Sequence, residues 1–154
     1  MPDMDMKEFN EKIERWSKDF PEAAAKGLGA AAAEVHKEVI EKHLSGPVGA
    51  KTLQPRTGGL KNSIAFRVRR AGGRLTAEIG NWKNPLPYAR IHEYGGTITP
   101  KKGNFLVFKI GERFIFTKKV VIPERSYLRS SLRDKRKQIV DVLLRAIKRS
   151  YTNA

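Results

Sequence analysis

Apolar positions open the chain at helical spacing: Met6, Phe9, Ile13, Trp16 and Phe20 recur at steps of three and four and so share one stripe. Pro21 interrupts the run, and because proline is tolerated in a first helical turn, a second helix is expected to begin there. Its stripe is Leu28, Ala32, Val35 and Val39, and Gly46-Pro47 ends it. Gly27 and Gly29 weaken that helix by about 1 kcal/mol each relative to alanine, but they let another backbone come close. Ser45 to Gly59, with four glycines and two prolines, has no period and reads as a loop, mobile in the free protein.

The period then changes. Ile64, Phe66 and Val68 alternate with Ala65, Arg67 and Arg69, and beyond Gly72-Gly73 the residues Leu75, Ala77 and Ile79 alternate with Thr76 and Glu78. Two alternating runs around a glycine pair predict a β-hairpin. Tyr88 to Tyr94 is expected to make two helical turns, with Tyr88, Ile91 and His92 or Tyr94 toward the sheet, stopped by Gly95-Gly96. A second hairpin is expected from Phe105–Ile110 and Arg113–Thr117 around Gly111-Glu112, with Val120–Ile122 extending the sheet. After Pro123 a long helix should run to about Tyr151 on a stripe of Leu128, Leu132, Ile139, Leu143 and Ile147. The result is one α+β domain over 1–154: a helical arm (1–44), a loop (45–59), a β-rich body (60–122) holding a short helix (88–94), and a basic C-terminal helix (124–151).

Charge sharpens this outline. The net charge is +15, yet residues 1–54 hold 8 Lys/Arg against 10 Asp/Glu, while residues 55–154 hold 23 against 6. A mildly acidic arm is thus joined to a strongly basic body, which repels its own kind and attracts polyanions or acidic surfaces. Arg67, Arg69, Arg70 and Arg74 crowd the first hairpin; Arg129, Arg133, Arg136 and Lys137 lead a basic face on the last helix. Phosphate contact without base readout is the mode this favours, because Phe66, Phe105, Phe108 and Phe116 sit on apolar faces and read as core. No apolar run approaches a membrane span, the acidic start is unlike a secretory signal, and the absence of cysteine excludes disulfides and thiolate metal sites. Assembly in the cytoplasm is the simplest expectation.

Catalytic chemistry finds little support. His92-Glu93 is the one adjacent histidine–carboxylate pair, and it lacks a second convergent ligand or base; His36 and His43 are distant in sequence. Thr57-Gly-Gly-Leu-Lys-Asn-Ser63 has neither the adjacent lysine–hydroxyl pair nor the strand-then-helix setting of a phosphate loop. Hydrogen bonds that tie the short helix to its neighbours are the better account of His92 and Glu93. No catalytic residue, metal site or cofactor is expected.

Three motifs in order do resemble a known family. Thr57-Gly58 with Leu60 and Ser63, then Tyr88-Ala-Arg-Ile-His-Glu-Tyr-Gly-Gly96, then Pro123-Glu-Arg-Ser-Tyr-Leu-Arg129, resemble the tail-completion and virion-morphogenesis proteins of tailed bacteriophages, relatives of the minor proteins at the head–tail junction. The resemblance spans about residues 55 to 135. It implies an N-terminal helix, a small antiparallel sheet and a C-terminal helix, in a non-enzymatic virion protein. Copies would form a ring, six-fold, at the neck or tail top, touching connector and tail-tube or tail-terminator proteins, with packaged DNA met only through phosphates. The resemblance makes Tyr88, His92, Glu93, Tyr94, Gly95 and Gly96 structural or interface determinants, with Arg125, Tyr127 and Leu128 anchoring the C-terminal helix. Many relatives carry proline where this chain has Ser126, a residue that can cap the following helix. The acidic arm is expected to pack on a neighbour's basic body. The alternative reading is a stand-alone, basic nucleic-acid-binding protein without strong sequence specificity; a hydrolytic enzyme is the third.

Overall fold

The computed structural model describes residues 5–46, 53, 57–82 and 84–153. Its first element corrects the expected pair of helices. A single helix α1 runs Met6–Glu38 with Pro21 inside it, then passes into a π-helical turn, Val39–His43. Proline removes one backbone hydrogen bond and usually kinks or ends a helix. Here the C-terminal helix lies along α1 and holds it continuous across that point. Asp5 caps its start, the carboxylate accepting from the Lys7 N–H at 3.1 Å.

The C-terminal segment departs in the opposite sense: one long helix was expected and two are found. These are α4, Leu128–Asp134, and α5, Arg136–Thr152, bent at Lys135 (φ −92°, ψ 2°). Neither proline nor glycine marks the bend. Its cause is tertiary: α4 is anchored at its start beside α3 (Ala89–Tyr94), whereas α5 must lie antiparallel on α1. Trp16 Nε1 donates to Ser150 Oγ at 2.9 Å, the Trp16 and Tyr151 rings meet edge-on, and Gln138 Nε2 donates to Glu34 at 3.1 Å. Between these points the helices come so close that a Cβ on Gly27 would stand 2.7 Å from Ala146 Cβ. The glycine that costs helix propensity is what admits the partner helix.

A short helix α2, Gly59–Ser63, precedes the first strand, so helix rather than strand follows the loop. Most of the expected 45–59 loop lies outside the described residues; of it, the Leu53 N–H donates to the His43 carbonyl at 2.9 Å. The first hairpin forms as expected: β1 Ala65–Ala71 pairs antiparallel with β2 Arg74–Gly80, turning on Gly72 and Gly73, both at positive φ. Both strands pack on α1. The second hairpin, β4 Leu106–Ile110 with β5 Arg113–Thr117, also forms, its two-residue turn led by Gly111 at φ +58°. Val120–Ile122 (β6) does not extend either hairpin. It pairs with Gly96–Ile98 (β3), which begins at the second of the glycines read as a stop, to make a third ribbon.

The architecture is therefore α+β, with antiparallel two-stranded ribbons between long N- and C-terminal helices. Its core gathers Val39, Leu44, Ile64 and Tyr127, with Ile40, Leu53, Leu60, Ile79 and Leu128 packed around them. The expected core phenylalanines are not in it: Phe66, Phe105, Phe108 and Phe116 are all exposed. Phe66 sits near the His36 ring at 5.6 Å, and the other three lie on or beside the second hairpin, which makes no extended contact with any other element among the described residues. On the C-terminal stripe Leu132 is likewise exposed, while Ile139, Leu143 and Ile147 are half-buried.

Candidate functional site

Glu93 organises the region where the two sequence blocks meet. In α3 the buried pair is Ala89 and Glu93, four residues apart; Tyr88 and Tyr94 are exposed, which reverses the face expected from the aromatic residues. Carrying a carboxylate inward is costly unless each oxygen is hydrogen-bonded. Here both are. The backbone N–H groups of Tyr127 and Leu128 donate to Oε2 at 2.8 and 2.9 Å, and that of Arg129 donates to Oε1 at 3.0 Å. Ser126 Oγ donates to Oε1 at 2.9 Å, and Arg129 Nε reaches the same oxygen at 3.2 Å.

The first N–H groups of a helix have no partner within it. Glu93 supplies that partner for α4 from 35 residues upstream of Leu128, and its charge faces the positive end of the helix. The expectation that Ser126 caps this helix is thereby corrected: the hydroxyl donates to the carboxylate that does the capping. Two carboxylate oxygens satisfy several donors at once, where one hydroxyl satisfies one or two. Burial pushes the Glu93 carboxyl up, but the bonds from Leu128, Arg129, Ser126 and Tyr127 outweigh it and hold the pKa below the usual carboxylate range.

The surrounding residues serve the same junction. Gly95, at φ +67°, brings its backbone so close to the returning chain that a Cβ would stand 2.8 Å from Glu124 N. Gly96 pairs with Ile122 across the β3–β6 ribbon. The Arg125 N–H donates to the His92 carbonyl at 2.9 Å. The Tyr127 hydroxyl donates to the Ala89 carbonyl at 3.4 Å, and burial, with the nearby Glu93 and Tyr94, pushes its pKa up to about 12. Arg129 bonds to Glu124 at 2.7 Å and stacks its guanidinium over the Tyr94 ring at 4.5 Å. His92 is half-buried, edge-on to Tyr88; burial, then the Arg125 charge, lowers its pKa. Its Nδ1 and Arg125 Nε are buried without a hydrogen-bond partner among the described residues. The residues singled out from Tyr88 to Gly96 and from Arg125 to Leu128 thus form one place. What sequence reasoning missed was the role of Glu93 as a cap, because no local pattern links a residue to a helix so far along the chain.

The basic residues do not gather in this way. Arg67 bonds to Glu78 at 2.6 Å and lies over the Trp82 ring, Arg69 stands 3.8 Å from the same carboxylate, and Arg70 donates to the Pro21 carbonyl at 2.8 Å. Arg133 faces its neighbour Asp134 at 3.5 Å. Arg74, Arg136 and Lys137 make no ion pair among the described residues. One further grouping joins Glu38, His43 and Asp134, whose ligand atoms lie within 4.8 Å of one another. The protein's own cations already meet its carboxylates: Lys42 and Lys135 stand 2.8 and 3.3 Å from Glu38, and Arg133 meets Asp134. The Lys42 bond, with Lys135 behind it, holds Glu38 below its ordinary pKa.

No helix among the described residues is long and apolar enough to cross a membrane. No curated protein and no solved structure matches the chain. Residues 7–95, more than half of its length, match the HK97-gp10-like family, described as "Bacteriophage HK97-gp10, putative tail-component". The match takes in α1, which the sequence motifs did not tie to any family, and runs through the first hairpin to Gly95. The chain belongs to the HK97-gp10-like family of bacteriophage tail components.

Proposed function

We propose that this tail component is a non-enzymatic adaptor of the tail top or neck, which assembles from several copies and joins the tail to the DNA-filled head in tail completion. The observation that carries the non-catalytic part is Glu93. The carboxylate of the one adjacent histidine–carboxylate pair is buried and committed to backbone donors, with no face left for a substrate. A catalytic carboxylate needs reach to a reacting atom, whereas this one fixes the angle between α3 and α4. Family membership supports the place in the virion, with neighbouring connector and tail-tube or tail-terminator proteins as partners. Ring closure, with six copies, is part of the proposal, as is phosphate contact through Arg74, Arg136 and Lys137 where the protein meets DNA.

Withdrawing the protein from its phage tests this. Electron microscopy should then show filled heads and finished or nearly finished tails accumulating unjoined, and supplying the protein should join them. Normal joined particles without it, or a stop before tail-tube assembly, would overturn the adaptor reading.

A further inference from the structure

The second hairpin exposes most of its apolar side chains. Its register sets Val107 opposite Phe116 and Lys109 opposite Phe114, and Phe105 continues the same face. Phe114 and Phe116 are each 65% exposed, and Phe105 and Val107 about half exposed. An isolated two-stranded ribbon is at best marginally stable in water, and a contiguous exposed apolar face marks an interaction surface. Lys109 lies within this face, 3.3 Å from Glu112, and the segment also carries Lys101, Lys102, Arg113, Lys118 and Lys119, with Glu112 as the only acidic residue from 101 to 119. The partner surface should therefore be apolar and acidic.

The same chain carries such a surface elsewhere. α1 and α5 are antiparallel and in contact from Lys12 over the Tyr151 ring and Trp16 with Ser150 onward, so the first turn of α1 overhangs the end of α5. On that overhang Met6 is 70% exposed and Phe9 is exposed beside it, three residues apart on one stripe. Asp5 and Glu8 line one side of that stripe, and Lys12, next along the same side, is held over the Tyr151 ring at 4.9 Å. Neither surface is covered by its own chain among the described residues.

We propose that the occupant of the hairpin face is a second copy of this chain: the overhanging start of α1 lies on the Phe105/Val107/Phe114/Phe116 face of the next copy, Met6 and Phe9 packing on the phenylalanines while Asp5 and Glu8, along one side of them, meet the hairpin's lysines. This rests on the multi-copy assembly proposed above and supplies its contact. The contact joins two different surfaces, so each copy keeps one free hairpin and one free helix end, and the chain of contacts closes when the rotation per copy allows.

The absence of cysteine from the chain makes the test clean. Asn10 lies on the overhang beside Met6, and Lys109 lies on the hairpin face with all four apolar residues left in place. The N10C/K109C double variant, treated with a short bismaleimide, should give a ladder of dimers, trimers and higher species. Each single variant alone should give none, and the two singles mixed should stop at the dimer. Phe116→Asp in the same background should lower cross-linking by about tenfold or more, as truncating an interface anchor does. Its circular dichroism and Tm should be unchanged, because the side chain is exposed; raised salt should also weaken the ladder. Dimers from K109C alone would overturn the proposal in favour of hairpin-to-hairpin pairing. Assembly seen by mass photometry without the N10C/K109C ladder would overturn this contact and leave the adaptor reading standing. Phe116-dependent binding of a purified tail or neck protein in place of self-association would assign the face to that partner and overturn it too.

Discussion

The two hairpins share glycine-led two-residue turns, and they differ in what they touch. β1–β2 lies on α1, buries Gly80 and half-buries Ile79 against the core, and pairs Arg67 with Glu78 across the strands. β4–β5 has more large apolar residues and buries none of them fully. Apolar content alone therefore does not say which strand is core. The first hairpin alternates, as a ribbon with one wet face must. The second is apolar on both faces, with Val107, Phe114 and Phe116 on one and Phe108, Ile110 and Ile115 on the other, as suits a ribbon that is to be covered.

That contrast can be broken from either side. The largest effect should come from the junction on which the inward half depends: Glu93→Ala strands the first donors of α4 in a buried place and should cost roughly 3 kcal/mol in denaturant unfolding. A loss under about 1 kcal/mol would show that the cap is dispensable. Next, Ile79→Ala in the first hairpin removes a side chain packed on the core and should cost about 2 kcal/mol by the same measurement.

Acid should act more gently and through the same junction. The folded pKa of Glu93 is below its unfolded value, so its contribution is full above the unfolded carboxylate range and fades as pH falls through that range toward the folded pKa. His92, also lowered, favours its neutral form in the fold. Stability should therefore start to fall as pH drops below the ordinary histidine range, and His92→Gln should flatten that first part of the curve while leaving the carboxylate part. A curve unchanged by His92→Gln would remove the histidine from the account. Smallest of all, Phe116→Ala in the second hairpin should change monomer stability by no more than about 0.5 kcal/mol, against the larger cost at Ile79. Equal losses at the two positions would erase the distinction between the hairpins.

What could be read from the sequence was local. Gly72-Gly73 and Gly111 announce turns because the conformation they allow is needed at the spot where they stand, and the alternation beside them fixes the strands. The errors share a cause, which is distance along the chain. Pro21 signals a helix start, yet α5, more than a hundred residues later, keeps α1 whole. Lys135 carries no breaker signal, because the bend there comes from two separate anchorages. The pairing of Gly96–Ile98 with Val120–Ile122 is likewise non-local. At the site, the two motif blocks were legible as a pair, and their joining by one carboxylate was not. The phenylalanines misled for another reason: periodicity reports which residues share a face, and is silent on whether that face is covered by the same chain.

The β3–β6 ribbon has a consequence for how such a protein can diversify. Residues 99–119 leave the body beside Ile98 and return beside Val120, which is paired with it, so the excursion begins and ends at one closed seam. Sequence between two joined ends can lengthen, shrink or be exchanged without disturbing the scaffold on either side. The second hairpin is in this sense a replaceable cassette, and grafting a different hairpin at Ile98 and Val120 should redirect what the protein grips while Glu93, α4 and the helical frame stay as they are.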